Sequence, residues 1–183
     1  MQRKVNEQVL ELTKGDVTRQ KVDAIVNAAN QALAGGGGVD GAIHRHGGPS
    51  IMAETDRRCP DGCPTGSAVI SSAGDLEAKY VIHAVGPIWS DGSRGEPKLL
   101  AGVYRRCLDL ALEHDCYSVA FPSLSTGAYR YPLDQAATIA LSTAIAFLKK
   151  HGQPGLVRFV LFDDRAYSAF ETALEDSLLE AGS

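Results

Sequence analysis

The stretch VDAIVNAANQALAGGGGVDGAIHRHGG, residues 22–48, carries the strongest indication of fold in this sequence. Its first eight residues are apolar on both faces, as in a strand buried at the centre of a sheet. Four consecutive glycines follow, and then Val39, Ile43 and His46 recur at a spacing that suits the opening turns of a helix. A buried strand, a glycine-rich loop and a helix in this order are typical of the ligand-binding edge of an α/β sheet.

The glycine run, residues 35–38, weakens the fold unless backbone must approach something closely, because glycine loses the most conformational entropy on folding. Such a run before a helix presents free backbone N–H groups and the positive end of the helix dipole. Phosphate is the ligand that suits this arrangement. A flexible surface loop, with Asp40 as an ordinary helix cap, remains the alternative for the glycine run taken alone.

Two asparagines, Asn27 and Asn30, lie at the carboxyl end of the predicted strand, where ligands collect in open α/β sheets. Asn27 either contacts a ligand or is a buried amide that ties loop backbone together. The stretch FPSLSTGAYRYP, residues 121–132, is a second loop of this kind, with small hydroxyl residues, a glycine, and Tyr129 as a lid. Because such loops bind phosphate oxygens, two of them at one edge suit a diphosphate.

Length and charge restrict the class of protein. The chain has 183 residues, which suits one domain with a single core. Its 18 Lys and Arg against 22 Asp and Glu give a net charge of −4 without a block of like charge, so a broad nucleic-acid surface is not expected. The apolar runs are too short for a membrane span, and the opening MQRKVNEQ lacks the core of a signal peptide. We therefore expect a cytoplasmic protein without a membrane partner.

The cysteine pattern does not predict a metal site. Of the four cysteines only Cys59 and Cys63 lie close together, without a second pair or a matching pair of histidines. We interpret all four as reduced thiols, and Cys107, which falls in a helical pattern, as a core residue.

Strand and helix patterns alternate along most of the chain, which predicts an α/β class with helices on both faces of a mixed sheet. On the strand ends, His83 is expected to be packed or hydrogen-bonded, and Phe162 is either a buried core residue or an aromatic platform for a nucleobase. The predicted strands span residues 5–12, 22–29, 65–70, 79–85, 118–122 and 156–162, and the further helices span residues 49–58, 99–114, 134–150 and 165–179.

Seven segments in order resemble the macrodomain family, specifically the MacroD-type group of ADP-ribosyl hydrolases and O-acetyl-ADP-ribose deacetylases. Together they cover nearly the whole chain: GDVT (15–18), VDAIVNAAN (22–30), GGGGVDGAIHR (35–45), GCPTGSAVIS (62–71), AKYVIHAVGP (78–87), FPSLSTGAYRYP (121–132) and VLFDDRAY (160–167). The resemblance implies a single macrodomain over residues 1–183, with a three-layer α/β/α fold around a central mixed sheet and ADP-ribose at its carboxyl edge.

The resemblance also implies a role for individual residues. Asp16, with Val17 beside it, would accept a hydrogen bond from the adenine amino group, and Phe162 would stack on the adenine. Asn30 would bind the distal ribose, next to Asn27. The diphosphate and distal ribose would be held by Gly37, Gly38, Val39, Ser125, Thr126, Gly127, Ala128 and Tyr129.

In the implied mechanism Asp40 is the catalytic carboxylate, which orients or partly activates a water, with Asn30 at the substrate ribose. His44, one helical turn beyond Asp40, would orient that carboxylate or the substrate. Two residues depart from the family pattern: Arg130 stands where a glycine is common, and His46 where an alanine is common. Since Arg130 follows Tyr129, it bears on how that lid closes and on substrate preference.

Our main hypothesis is therefore a hydrolase without cofactor or metal that removes mono-ADP-ribose from acidic side chains of proteins and deacetylates O-acetyl-ADP-ribose. Its expected partners are these two substrates and ADP-ribose itself. We expect a monomer, and we do not expect nucleic acid as a partner, with ADP-ribosylated nucleic-acid ends left open. A non-catalytic ADP-ribose reader would share the binding residues without needing Asp40. An NAD(P) oxidoreductase is the disfavoured third alternative, and a P-loop ending in GKS or GKT is absent.

Overall fold

A computed structural model describes residues 1–181 and contains one seven-stranded sheet in the order β1-β2-β7-β6-β3-β5-β4. The five central strands are mutually parallel, whereas β1 and β4 are antiparallel strands at the two edges. The strands are β1 (Gln2–Val5), β2 (Gln8–Lys14), β3 (Ala24–Ala28), β4 (Ser67–Ser72), β5 (Tyr80–Val85), β6 (Ser118–Phe121) and β7 (Leu156–Leu161).

Four α-helices and a short 3-10 helix, Val17–Arg19, lie between strands, and a fifth α-helix follows the last strand. No helix within residues 1–181 combines the length and the apolar character needed to cross a bilayer. The helices are α1 (Gly38–Gly47), α2 (Ser50–Arg58), α3 (Glu96–Glu113), α4 (Leu133–His151) and α5 (Asp164–Ala181).

The sheet is the middle of three layers because its central strands bury side chains on both faces. Ile25 of β3 packs with Ile43 of α1 and Ile51 of α2 on one face. Val26, the next residue along the strand, points to the other face and joins the core cluster that includes Leu100 of α3 and residues of α4 and α5. The predicted α/β class with helices on both faces of a mixed sheet is confirmed.

The predicted first strand at residues 5–12 is wrong in one respect: the structure has a hairpin there. β1 and β2 pair in antiparallel fashion, with Val5 opposite Gln8. Asn6 and Glu7 form the two-residue turn, and Asn6 has a positive φ of 56°, which asparagine tolerates better than most residues. The short edge strand β1 was missed because its sequence, QRKV, is polar and mostly exposed.

The other predicted elements are present with shifted ends. Helix α3 begins at Glu96, three residues before the predicted start, and Pro97 occupies the first turn, where no N–H donor is needed. The Glu96 carboxylate accepts backbone hydrogen bonds from Ser90, Gly92 and Arg94, at 3.1, 2.9 and 2.6 Å. Burial alone would raise the pKa of Glu96, but these N–H groups lower it to about 2. This buried carboxylate fixes the loop between β5 and α3.

Candidate functional site

The carboxyl ends of the parallel strands bring the predicted site residues to one edge of the sheet. Strands β2 and β7 are neighbours, with Lys14 opposite Leu161, and the Gly15 N–H donates to the Leu161 carbonyl at 2.9 Å. Asp16 and Phe162 therefore emerge side by side from two adjacent strands, as a site for one end of a ligand requires.

Asp16 presents an ionised carboxylate whose oxygens differ in their surroundings. Its Oδ1 accepts from the Thr18 backbone N–H at 2.9 Å and from the Thr18 hydroxyl at 2.7 Å. Burial by itself would raise the pKa of Asp16, but these hydrogen bonds and the nearby Arg19 and His46 side chains lower it overall. An ionised carboxylate only accepts hydrogen bonds, so Asp16 can select a donor such as an exocyclic amino group. Val17 is buried directly after it.

The Phe162 ring is 85% exposed immediately after β7, which excludes the alternative that it is a buried core residue. A solvent-exposed aromatic side chain at the end of a strand contributes little to the stability of the fold. It is available to stack on a planar ligand. The structure thus favours the aromatic-platform interpretation.

The glycine run is shaped by close packing against α1. A Cβ on Gly41 would lie 2.6 Å from the carbonyl oxygen of Gly36, so only glycine lets the helix approach the loop this closely. A Cβ on Gly37 or Gly38 would instead meet open space. Because the first N–H groups of a helix have no intrahelical acceptor, the start of α1 offers free donors on the open side. This segment has the form of an anion-binding loop.

The second loop, residues 123–131, presents a matching set of free donors. Its backbone is closed by hydrogen bonds from the Tyr131 N–H to the Ser125 carbonyl at 2.9 Å and from the Arg130 N–H to the Gly127 carbonyl at 3.0 Å. Within residues 1–181 the N–H groups of Thr126 to Tyr129 have no acceptor. Two loops with unpaired N–H groups therefore follow the neighbouring strands β3 and β6.

The lid residue Tyr129 is held by the loop after β5, since its carbonyl accepts from the Trp89 N–H at 2.8 Å. The residue after it, Arg130, has a φ of +60°, in the left-handed region that a glycine adopts without strain. The departure from the family pattern thus places an exposed arginine in a glycine conformation.

Arg130→Gly is expected to stabilise the protein by about 1 kcal/mol, because a side chain in the left-handed region costs about 1–2 kcal/mol and glycine recovers most of it after its own entropy cost. The midpoint of urea denaturation should rise accordingly. Arg130→Ala is the control, since alanine keeps the Cβ that causes the strain. An equal gain for both variants would show that the arginine side chain, not its backbone conformation, is destabilising.

Asp40 lies at the end of the site away from Asp16 and Phe162, which is called the distal end below. Its side chain is only 8% exposed, and its Oδ1 accepts from Asn27 Nδ2 at 2.8 Å and lies 3.3 Å from His44 Nε2. Its other oxygen, Oδ2, lies 3.6 Å from the position that a Cβ on Gly36 would take, and Asn30 Nδ2 lies 4.0 Å from the same position. Gly36 therefore leaves a gap that Asp40 and Asn30 border together.

Asn27 and Asn30 have different contacts, and these decide between the two roles that the sequence left open for Asn27. Asn30 ties the loop backbone: its Nδ2 donates to the Gly35 carbonyl at 2.9 Å, and its Oδ1 accepts from the Ala34 N–H at 3.1 Å. Asn27 is fully buried and holds the Asp40 carboxylate instead. In this structure Asn27 therefore stands behind the site, while Asn30 borders it.

Burial and the neighbouring His44 lower the pKa of His83 to about 4, from an ordinary value of 6.5. The ring is 2% exposed and hydrogen-bonded to Asn27 and Ser71, so His83 is packed and hydrogen-bonded, as its place on a strand indicated. At neutral pH this imidazole is uncharged.

This depressed pKa predicts a loss of stability in mild acid. Between pH 6.5 and 4 the unfolded chain binds a proton at His83 that the folded chain does not, so the free energy of unfolding should fall by up to about 3 kcal/mol as the pH drops through that window. Urea denaturation across that pH range measures the effect. His83→Asn should lose this part of the pH dependence, and an unchanged slope in the variant would contradict the assignment.

The sequence did not predict the contacts of three residues behind the site: Ser71, Gly86 and, as a partner of Asn27, His83. A polar residue at a central strand position was the available signal for His83. A Cβ on Gly86 would collide with the Ser125 hydroxyl, a contact that no local pattern reveals. Among the described residues no three His, Cys, Asp or Glu side chains converge as metal ligands do.

Fold and site together define a three-layer α/β protein with a polar ligand site along the carboxyl edge of its sheet. The Macro domain family model matches residues 26–140. The chain belongs to the macrodomain family. A relative named O-acetyl-ADP-ribose deacetylase, from Enterobacter cloacae, is 48% identical over 167 residues, which are 90% of this chain and 93% of that protein.

Solved structures show the same fold. The Oceanobacillus iheyensis macrodomain with ADP superposes with a TM-score of 0.93 at 40% identity and covers 98% of this chain and 97% of its own. The Trypanosoma brucei macrodomain in complex with ADP-ribose gives 0.82 at 40% identity, over 90% of this chain and 68% of its own. The expected macrodomain fold is thereby confirmed.

Proposed function

We propose that this macrodomain binds ADP-ribose along the carboxyl edge of its sheet. The adenine would lie between the Asp16 carboxylate and the exposed Phe162 ring, and the distal ribose between Asn30 and Asp40. The loops after β6 and β3, with their unpaired N–H groups, would hold the diphosphate, because free backbone donors bind phosphate oxygens without a cation. The ADP-ribose bound by the Trypanosoma brucei relative supports this assignment.

We further propose that the protein is a hydrolase for esters of the distal ribose, which includes O-acetyl-ADP-ribose and mono-ADP-ribose on acidic side chains of proteins. The observation that carries this proposal is the arrangement of Asp40. One carboxylate oxygen is fixed by Asn27 and His44, while the other faces the gap at Gly36 with Asn30 on its far side. A reader needs no carboxylate held in this way.

The chemistry for the acetyl ester follows from that arrangement. Asp40 Oδ2 accepts a hydrogen bond from a water and takes its proton as the water oxygen bonds to the acyl carbon. The bond from the acyl carbon to the ribose oxygen then breaks, the proton passes to that oxygen, and acetate and ADP-ribose leave. A substrate phosphate next to the site assists in holding the water. The name of the Enterobacter cloacae relative supports this reaction.

Mass spectrometry of O-acetyl-ADP-ribose and of a glutamyl-ADP-ribosylated protein, each incubated with the pure protein, tests the proposal. We expect both to be converted to ADP-ribose. In Gly36→Val the new side chain would fill the gap between Asp40 and Asn30, so turnover should be lost. The backbone at Gly36 has no positive φ, so the variant should still fold. Binding of ADP-ribose without turnover of either ester would favour the reader and overturn the hydrolase.

A further inference from the structure

A chain of buried hydrogen bonds extends from Asp40 into the sheet. Asn27 Nδ2 donates to Asp40 Oδ1 at 2.8 Å and lies 3.2 Å from His83 Nδ1. His83 Nε2 lies 2.9 Å from the Ser71 hydroxyl, which donates to the Ser72 carbonyl at 2.9 Å. The chain crosses three neighbouring strands, because Asn27 on β3 is directly opposite His83 on β5, and Ser71 is on β4.

The donors and acceptors along this chain have one consistent assignment. If the Asn27 amide were turned over, its oxygen would face the Asp40 carboxylate, so the NH₂ group must point there. The same NH₂ group also donates to His83 Nδ1, which must then be an unprotonated acceptor. The single proton of the neutral imidazole is therefore on Nε2, where it is donated to Ser71. Every link has a donor and an acceptor.

Stability does not account for these polar side chains. Asn27, Ser71 and His83 are at most 2% exposed, and they lie next to strand residues of an otherwise apolar core. Apolar residues of similar size at such positions are often as stable or more so, because burying polar groups costs desolvation. What the chain does provide is a rigid support: it ties a carboxylate on the first turn of α1 to the centre of the sheet.

We propose that His83 is a positioning residue for the reaction, acting through Asn27 to hold Asp40 with Oδ1 bound and Oδ2 directed at the substrate. This inference rests on the proposed hydrolase function. The neutral imidazole fixes the Asn27 amide, and the amide fixes the carboxylate. Ser71 completes the support by holding the ring from its other nitrogen.

Two substitutions at His83 separate positioning from packing. The side-chain amide of His83→Asn reaches the level of Nδ1, so its oxygen can still accept from Asn27. The amide of His83→Gln reaches the level of Nε2, so it keeps the contact with Ser71 and loses the one with Asn27. Both variants remove the same ring, and their difference isolates the hydrogen bond to Asn27.

We expect His83→Gln to lower kcat on the order of 10²-fold, the effect of a misplaced catalytic group, with KM little changed. His83→Asn should recover most of that loss. His114→Gln, the same substitution at a half-buried histidine immediately after α3, is the control and should behave as wild type. Equal kcat for the two His83 variants would overturn the positioning role.

Crystal structures of the two variants decide the inference even if wild type turns over neither ester, which would refute only the proposed function. The distance from Asn27 Nδ2 to Asp40 Oδ1 should stay near 2.8 Å in His83→Asn and lengthen in His83→Gln. If His83→Gln does not fold, ¹⁵N spectra of the wild-type imidazole remain decisive. A proton on Nδ1 rather than Nε2 would break the chain and overturn the proposal.

Discussion

Asp40→Asn is expected to lower the turnover of O-acetyl-ADP-ribose by roughly 10²–10⁴-fold, the usual contribution of a positioned acid or base. The amide oxygen can still accept from Asn27, but the group carries no charge and takes no proton from water. The fold should persist, because a carboxylate in the first turn of a helix contributes only about 0.3–1 kcal/mol. Single-turnover kinetics measure the loss.

ADP-ribose affinity is the internal control for Asp40→Asn. Removing a negative charge next to a diphosphate relieves repulsion, so calorimetry should give an affinity within a few fold of wild type. Asp40→Ala should show the same pattern, with a larger loss of stability because the Asn27 amide then lacks its acceptor. Wild-type turnover by a folded Asp40 variant would refute the mechanism and direct attention to Asn30 and a phosphate-activated water.

Phe162→Ala is expected to weaken ADP-ribose binding by tenfold or more, because stacking of an aromatic side chain on a base is worth roughly 1–3 kcal/mol. Calorimetric titration measures this loss of affinity. We expect the wild-type protein to bind with a free energy on the order of −8 kcal/mol, which is a Kd in the micromolar range. Since the ring is almost fully exposed, the free energy of unfolding should change little. Asp16→Ala should also weaken binding.

Tyr117→Ala is the matched control for Phe162→Ala. Tyr117 is a comparably exposed aromatic residue, 68% accessible, but it precedes β6 and therefore lies at the amino edge of the parallel strands. Phe162→Trp, which keeps an aromatic face, should retain binding. Equal affinity for Phe162→Ala and wild type would mean that the adenine does not stack there.

Local pattern in the sequence was sufficient for the class of fold and for the edge where the site lies. Apolar strands alternating with amphipathic helices require a layered α/β structure, because each element must bury its apolar side. Parallel strands place every strand-to-helix loop at the same edge of the sheet. The loops after residues 28 and 121 were therefore expected at the carboxyl edge. Strand β1 was not predicted, because this polar edge strand shows no alternation of apolar residues.

Local pattern predicted that the residues after β3 and β6 lie at that edge, but what each of them contacts depends on the fold of the whole chain. Asn27 and His83 are 56 positions apart and meet because β3 and β5 are neighbours in one register. That register also decides that Asn27 holds Asp40 while Asn30 ties the loop. Such pairings depend on strand order and on packing between distant segments, and these long-range contacts have no signature in the local spacing of residues.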